Sequence, residues 1–268
     1  MKEQFEIAGG SVIGREHLRS GKNNQDAYWG ICSADYAIAV VCDGCGSRAH
    51  SEVGAKIGAR LTVEALASCA KKITIDDSFF WQQVQQDLLK KLQALACIMG
   101  GNFSQTLQDY FLFTIVGALV TPAGAWLFSI GDGIIAVNGT VTQLGPFPQN
   151  TPPYLAYGLL DSTSEAWQFQ IHKTLPLDEV KSILIGTDGV KNFIEAAETN
   201  LPGKEEKVGS ISQFWEQDCY FKNPDSVRRK LALMNREVTK PDWEGQQLVR
   251  TVGLLPDDTT LMVLRKRV

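Results

Sequence analysis

The chain has 268 residues, 44% of them hydrophobic and 21% charged, with 24 glycines and 10 prolines. That balance excludes collagen-like, disordered and disulfide-scaffold classes, and a chain of this length buries enough surface to fold without staples. Net charge is −4, from 26 Lys+Arg against 30 Asp+Glu, with basic residues clustered only in short runs such as Arg228-Arg229-Lys230, a balance that argues against a nucleic-acid partner.

The N-terminus, MKEQFEIAGG, carries two early glutamates and no apolar core, so it does not read as a signal peptide. Phe111 to Ile130 holds no charged residue, but Thr121-Pro122-Ala123-Gly124 breaks it midway. Two β-rich runs around a turn predict a buried hairpin, not a membrane span. Six cysteines without a leader predict reduced thiols in the cytoplasm. Cys42 and Cys45 form a lone C-x-x-C, and His17, His50 and His172 are too few and too scattered to complete a zinc site.

Tyr36 to Cys42 is a continuous apolar strand ending at Asp43-Gly44. From Ser51 the pattern turns helical, with Val53, Ile57, Leu61 and Ala65 on one face, the face expected to be buried. A second helix starts at Ser78, with Trp81, Val84, Leu88, Leu92 and Leu95 in 3-4 spacing and Asp76, Asp77 and Ser78 available as caps. Strands follow at Phe111–Val120, Ala125–Ile130 and Ile134–Val137, the last paired through Asn138-Gly139 with Thr140–Leu144. Residues 146–164 read as a surface loop or flap bordering Asp132, Ser182–Gly186 as a strand, and 203–250 as polar with helical pieces such as Ser226–Met234. Thr259–Leu264 is the last strand. Strands and helices are grouped, not alternating, which predicts an α+β fold in one domain, 1–268.

Three times an apolar strand runs into Asp-Gly, at Asp43, Asp132 and Asp188, and a fourth acidic site, Asp257-Asp258, precedes the last strand. Any one of these is an ordinary turn after a strand. Together they suggest carboxylates converging at one sheet edge, where their repulsion calls for cations. All-oxygen ligands with little histidine predict Mg²⁺ or Mn²⁺ ahead of Ca²⁺.

In order, Gly14…Asn24-Gln25-Asp26-Ala27, Val41-Cys42-Asp43-Gly44, Gly131-Asp132-Gly133, Thr187-Asp188-Gly189-Val190 and Asp257-Asp258-Thr259-Thr260 resemble the metal-dependent protein phosphatases of type 2C, in their bacterial branch. The resemblance implies a four-layer α-β-β-α sandwich with two central antiparallel sheets flanked by helices. It implies a serine/threonine phosphatase, in which a hydroxide bridging two ions attacks phosphorus without a phosphoenzyme. By position, Asp43 would bridge two metals, the Gly44 carbonyl would hold one, Asp188 and Asp257 would complete the coordination of the first ion, and Asp132 with Asp188 would hold a third ion. Asp26 matches the acidic residue that braces the site. The implied partners are a phosphoprotein substrate and a cognate Ser/Thr kinase system; a monomer is expected.

Three positions depart from the pattern. Gln25 stands where the family has a glutamate, and the phosphate-binding arginine falls at Gly21, leaving His17, Arg19 or Lys22 to meet phosphate. Cys45 replaces a histidine common among eukaryotic members, so a leaving-group proton would come from water, His17 or His50. These departures keep open a non-catalytic relative that binds phosphopeptides or acts as a scaffold. Cys42 and Arg48, six apart, also match a cysteine-dependent phosphatase. Asp43 inside that loop would repel phosphate, and the other carboxylates would be unexplained.

Overall fold

A computed structural model describes residues 1–75, 78–161 and 167–267. The first elements are β1 (Phe5–Val12), α1 (Arg15–Ser20), β2 (Asp26–Cys32), β3 (Ala37–Asp43), α2 (Ser51–Ala70), α3 (Ser78–Met99) and α4 (Phe103–Tyr110). Strands β4 (Ile115–Thr121), β5 (Gly124–Ile130), β6 (Gly133–Val137), β7 (Thr140–Leu144), β8 (Gln170–Leu175) and β9 (Ser182–Gly186) follow. Four short helices come next: α5 (Val190–Glu195), α6 (Gln213–Glu216), α7 (Cys219–Lys222) and α8 (Ser226–Met234). A hairpin of β10 (Val238–Asp242) and β11 (Gln247–Thr251) then leads to β12 (Thr259–Lys266).

Two five-stranded antiparallel sheets face each other, in the orders β2-β3-β4-β5-β8 and β1-β12-β9-β6-β7. Alternation along β3 shows why its sequence is apolar throughout. Ala37, Ala39 and Val41 pack between the sheets with Val116, Ile135, Ile185 and Met262, while Ile38, Val40 and Cys42 face α2 and α3. A strand buried on both faces carries no polar alternation. On the far side Phe193, Phe214 and Leu231 of α5, α6 and α8 cover Ile134, Leu184 and Val263. The layers are α-β-β-α, as the resemblance implies. Among the described residues no helix is long and apolar enough to cross a membrane.

The hairpin at Thr121-Pro122-Ala123-Gly124 forms as read, and at Asn138-Gly139 both residues have positive φ (50° and 89°), the conformation this dipeptide favours. Several expectations are corrected. The strand read as starting at Phe111 starts at Ile115, because Tyr110 ends α4. On α2 the buried stripe is Ser51, Gly54, Ala55, Gly58, Ala59 and Thr62, whereas Val53 is exposed and Ile57 and Leu61 are half-buried. Small residues let the helix lie directly on Tyr110 and the Phe113 ring, where any side chain at Gly54 or Gly58 would collide. Within the segment read as a surface loop or flap, Tyr154, Leu155 and Ala156 sit in the helix-side core, and 162–164 lie outside the described residues. The region 203–250 holds the β10–β11 hairpin as well as helices, with Trp243 84% exposed at its tip. The caps expected at Asp76, Asp77 and the Ser78 side chain also lie outside what is described.

Candidate active site

The sheet edge formed by the ends of β3, β5 and β9 and the start of β12 carries the acidic residues. Asp43 closes β3 opposite Asp26 on β2. Gly44 then makes an isolated bridge with Phe113, in which Cys45 N–H donates to Leu112 O (2.9 Å) and Thr114 N–H to Asp43 O (2.8 Å). That pattern leaves the Gly44 carbonyl out of the ladder. A Cβ at Gly44 would lie 2.8 Å from Gln25 O and 2.9 Å from Ser51 O, so only glycine fits. Asp132 sits between Gly131 and Gly133, both at positive φ (97° and 145°), in the turn from β5 to β6. Asp188 follows β9, and Gly189 brings the backbone directly onto Asp258 O.

Asp258 is the keystone of this edge. Buried, it accepts Gly14 N–H at Oδ1 and Gln25 N–H at Oδ2, both at 2.6 Å, and Oδ2 lies 2.9 Å from His17 Nδ1. Despite that distance, Nδ1 is buried without a hydrogen-bond partner. Sequence reasoning read Asp258 only as half of an acidic pair. No local spacing marks it, because the amides it accepts lie in the distant Gly14–Gln25 segment. Asp26 is equally buried and accepts the Thr187 hydroxyl at 2.7 Å, while that hydroxyl accepts Thr260 N–H at 3.1 Å.

The carboxyls repel one another. Burial first, then the charge of Asp258, drives Asp26 well above the usual carboxylate range; burial and then Asp26, Asp188 and Asp257 do the same to Asp43. Asp188 is pushed up to about 6 by burial and by Asp257 and Asp132, against a smaller lowering by Gly189 N–H and Asp43. Burial raises Asp132, and it raises Asp257 against the pull of the Asp258 N–H. Among the described residues no lysine or arginine is ion-paired with Asp43, Asp132, Asp188 or Asp257. Uncompensated carboxylates with a free carbonyl beside them are an oxygen-donor set suited to hard divalent cations.

These groups line a cavity of about 250 Å³ together with His17, Gly44, Cys45, Thr114, Pro152 and Tyr154. Pro152 and Tyr154 belong to the segment read as a flap bordering Asp132. Lys22 donates to Gly46 O at 2.7 Å, and its charge reaches Asp257. Arg19 points elsewhere: it is exposed, contacts Glu16 at 3.4 Å and does not line the cavity. His50 stacks on Tyr110, away from the cavity. Gln25 donates to Ser51 Oγ at 2.9 Å, and its buried Oε1 has no partner.

The cysteine-dependent reading is corrected here. Cys42 is wholly buried among helix-facing core residues, and burial, then Asp26 and Asp43, drive its thiol well above its ordinary value. A thiolate nucleophile has neither access nor stability there. Cys45 does line the cavity. Burial, the largest influence on its thiol, raises the pKa, but hydrogen bonds with Ser47 and Tyr154 and the charge of Arg48 outweigh it and leave a net lowering.

Residues 13–234 match the family model described as Protein phosphatase 2C. The chain belongs to the protein phosphatase 2C family. Among solved structures, Stp1 from Staphylococcus aureus, a serine/threonine phosphatase, is similar over 98% of this chain and 96% of its own, with TM-score 0.54 and 13% identity. PppA from Pseudomonas aeruginosa, described as a key regulatory component of T6SS, is similar over 98% of both chains, with TM-score 0.54 and 15% identity. The catalytic domain of the serine threonine protein phosphatase PstP, solved with two manganese ions, covers 98% of each chain at TM-score 0.50 and 15% identity. At such identity the likeness shows the protein phosphatase 2C fold. No curated protein matches the chain.

Proposed function

We propose that this protein is a divalent-metal-dependent serine/threonine phosphoprotein phosphatase. The observation that carries the reading is the set of Asp43, Asp132, Asp188 and Asp257 around one cavity without a paired cation. Asp43, the Gly44 carbonyl, Asp188 and Asp257 would hold two ions, Mn²⁺ or Mg²⁺, and Asp132 with Asp188 a third. Bound there, such ions would neutralise the carboxylates and would supply Lewis-acid polarisation of phosphoryl oxygens and a water of lowered pKa as the nucleophile. The chain's own residues set the geometry around that chemistry. Asp26 braces Asp43 across the β2–β3 pair and is itself held by Thr187. Asp258 ties the Gly14–Gln25 segment to the loop of Asp257. Lys22, which donates to the carbonyl of the cavity-lining Gly46, is the candidate cation to meet a phosphoryl group, and His17 lines the cavity itself.

Family membership and the names of the structural neighbours support phosphoserine and phosphothreonine in proteins as substrates, with a cognate kinase system upstream. The working picture is a cytoplasmic monomer whose whole chain, 1–268, is one catalytic domain. Hydrolysis of an aryl phosphate with Mn²⁺ and with EDTA, by wild type, Asp43→Asn and Cys42→Ser, tests the reading. Mn²⁺-dependent turnover lost in Asp43→Asn and kept in Cys42→Ser is expected. Turnover indifferent to EDTA would refute it. Mn²⁺ binding without turnover on aryl phosphates or phosphopeptides would favour a phosphopeptide-binding relative, to which the neutral Gln25 already lends weight.

A further inference from the structure

His17 is the one nitrogen donor on the wall of this oxygen-rich cavity, and its surroundings are unusual for a surface histidine. It sits in α1, a six-residue helix carried on the segment before Asp257: Arg15 N–H donates to Leu255 O (2.9 Å) and Glu16 N–H to Pro256 O (3.0 Å). The helix and the metal-site loop therefore hold a fixed spacing. Nδ1 is buried and has no hydrogen-bond partner, although Asp258 Oδ2 is 2.9 Å away. A hydrogen bond at that distance would be aligned, and this contact is not.

The distance has another meaning. Two neighbouring ligands about 2.1 Å from an octahedral ion lie about 3 Å apart. One ligand atom from each of His17, Asp257 and Asp258 lies within 4.8 Å of the other two, the span a single ion bridges. The two backbone N–H groups that fix Asp258 leave its Oδ2 a second lone pair. We infer that His17 Nδ1 is a metal ligand, joining Asp257 and Asp258 around a divalent cation on the α1 side of the cavity. This rests on the metal-dependent reading above and adds to it a nitrogen donor that an all-oxygen site lacks. An imidazole ligand favours Mn²⁺ and later transition metals over Mg²⁺, so the protein should discriminate between the two ions more strongly than carboxylates alone allow.

The experiment is pulsed electron paramagnetic resonance on the full chain loaded with Mn²⁺. Modulation from a directly bound ¹⁴N nucleus is expected in wild type. It should change to the ¹⁵N pattern when histidine alone is ¹⁵N-labelled, a test that needs no variant, and it should vanish in His17→Gln. By calorimetry His17→Gln should weaken one Mn²⁺ site roughly tenfold or more while moving Mg²⁺ affinity little. Mn²⁺ bound without nitrogen modulation, or modulation that survives in His17→Gln, would overturn the ligand role and leave the phosphatase reading standing. No Mn²⁺ binding at all would overturn both.

Discussion

Replacing Asp188 by asparagine should stabilise the metal-free protein at neutral pH while weakening its hold on divalent ions. Burial, then the charges of Asp257 and Asp132, push the Asp188 carboxyl from its ordinary 3.8 up to about 6. A carboxyl whose pKa is raised by folding favours the folded state while protonated. That stabilisation is complete below about pH 4 and is lost as pH rises through about 6. At 1.36 kcal/mol per pKa unit, the difference makes an ionised Asp188 cost ~3 kcal/mol above pH 7. Asparagine carries no such cost and keeps an oxygen for the Gly189 N–H that Asp188 accepts. Urea unfolding in EDTA at neutral pH should show Asp188→Asn more stable by up to ~3 kcal/mol, and the difference should close near pH 4. Millimolar Mn²⁺ should invert the ranking, because only wild type gains fully by binding linkage. A variant no more stable than wild type in EDTA at neutral pH would refute the claim that these carboxylates repel one another enough to require cations.

Gly189→Ala forces a methyl group onto Asp258 O and to within 2.8 Å of Thr259 Oγ1; a loss of about 1–3 kcal/mol in thermal unfolding and weaker Mn²⁺ binding should follow. Thr187→Val removes the donor to Asp26 and orphans Thr260 N–H, and denaturant unfolding should register a cost of about 2–4 kcal/mol. Gln25→Glu should tighten Mn²⁺ binding in calorimetry and lower the stability of the EDTA-treated protein, since it adds one more charge to the cluster. Trp243→Ser, at the exposed hairpin tip, should leave unfolding within about 0.5 kcal/mol of wild type.

The strands were legible where both faces are buried: β3, β4, β5, β9 and Leu261–Leu264 of β12 are predominantly apolar, and the acidic residues stand at the ends of those runs or, for Asp257, just before β12. The first strand was hidden by its own packing, because Gly9 and Gly10 break the apolar pattern to let Tyr28 and the α8 backbone approach. On α2 the periodicity was sound but pointed the wrong way, since closeness to the sheet selects residue size over hydrophobicity there. The roles of Asp258 and His17 depend on contacts spanning more than 200 residues, and no local spacing encodes them. Arg19 illustrates the converse: the right residue type in the right segment, turned to Glu16 by the helix that carries it.

Strand β12 lies between β1 and β9, so the sheet is closed by the strand latest in the sequence. On a ribosome that order has a temporal meaning. A nascent chain that has emerged through α8 already displays Asp43, Asp132 and Asp188, but the amides of Gly14 and Gln25 still await Asp258 and the cavity lacks a wall. With synthesis running at roughly 5–20 residues per second, the acidic edge stays unfinished until the Asp257-Asp258 segment has followed α8. Its last wall comes with β12, which inserts between β1 and β9.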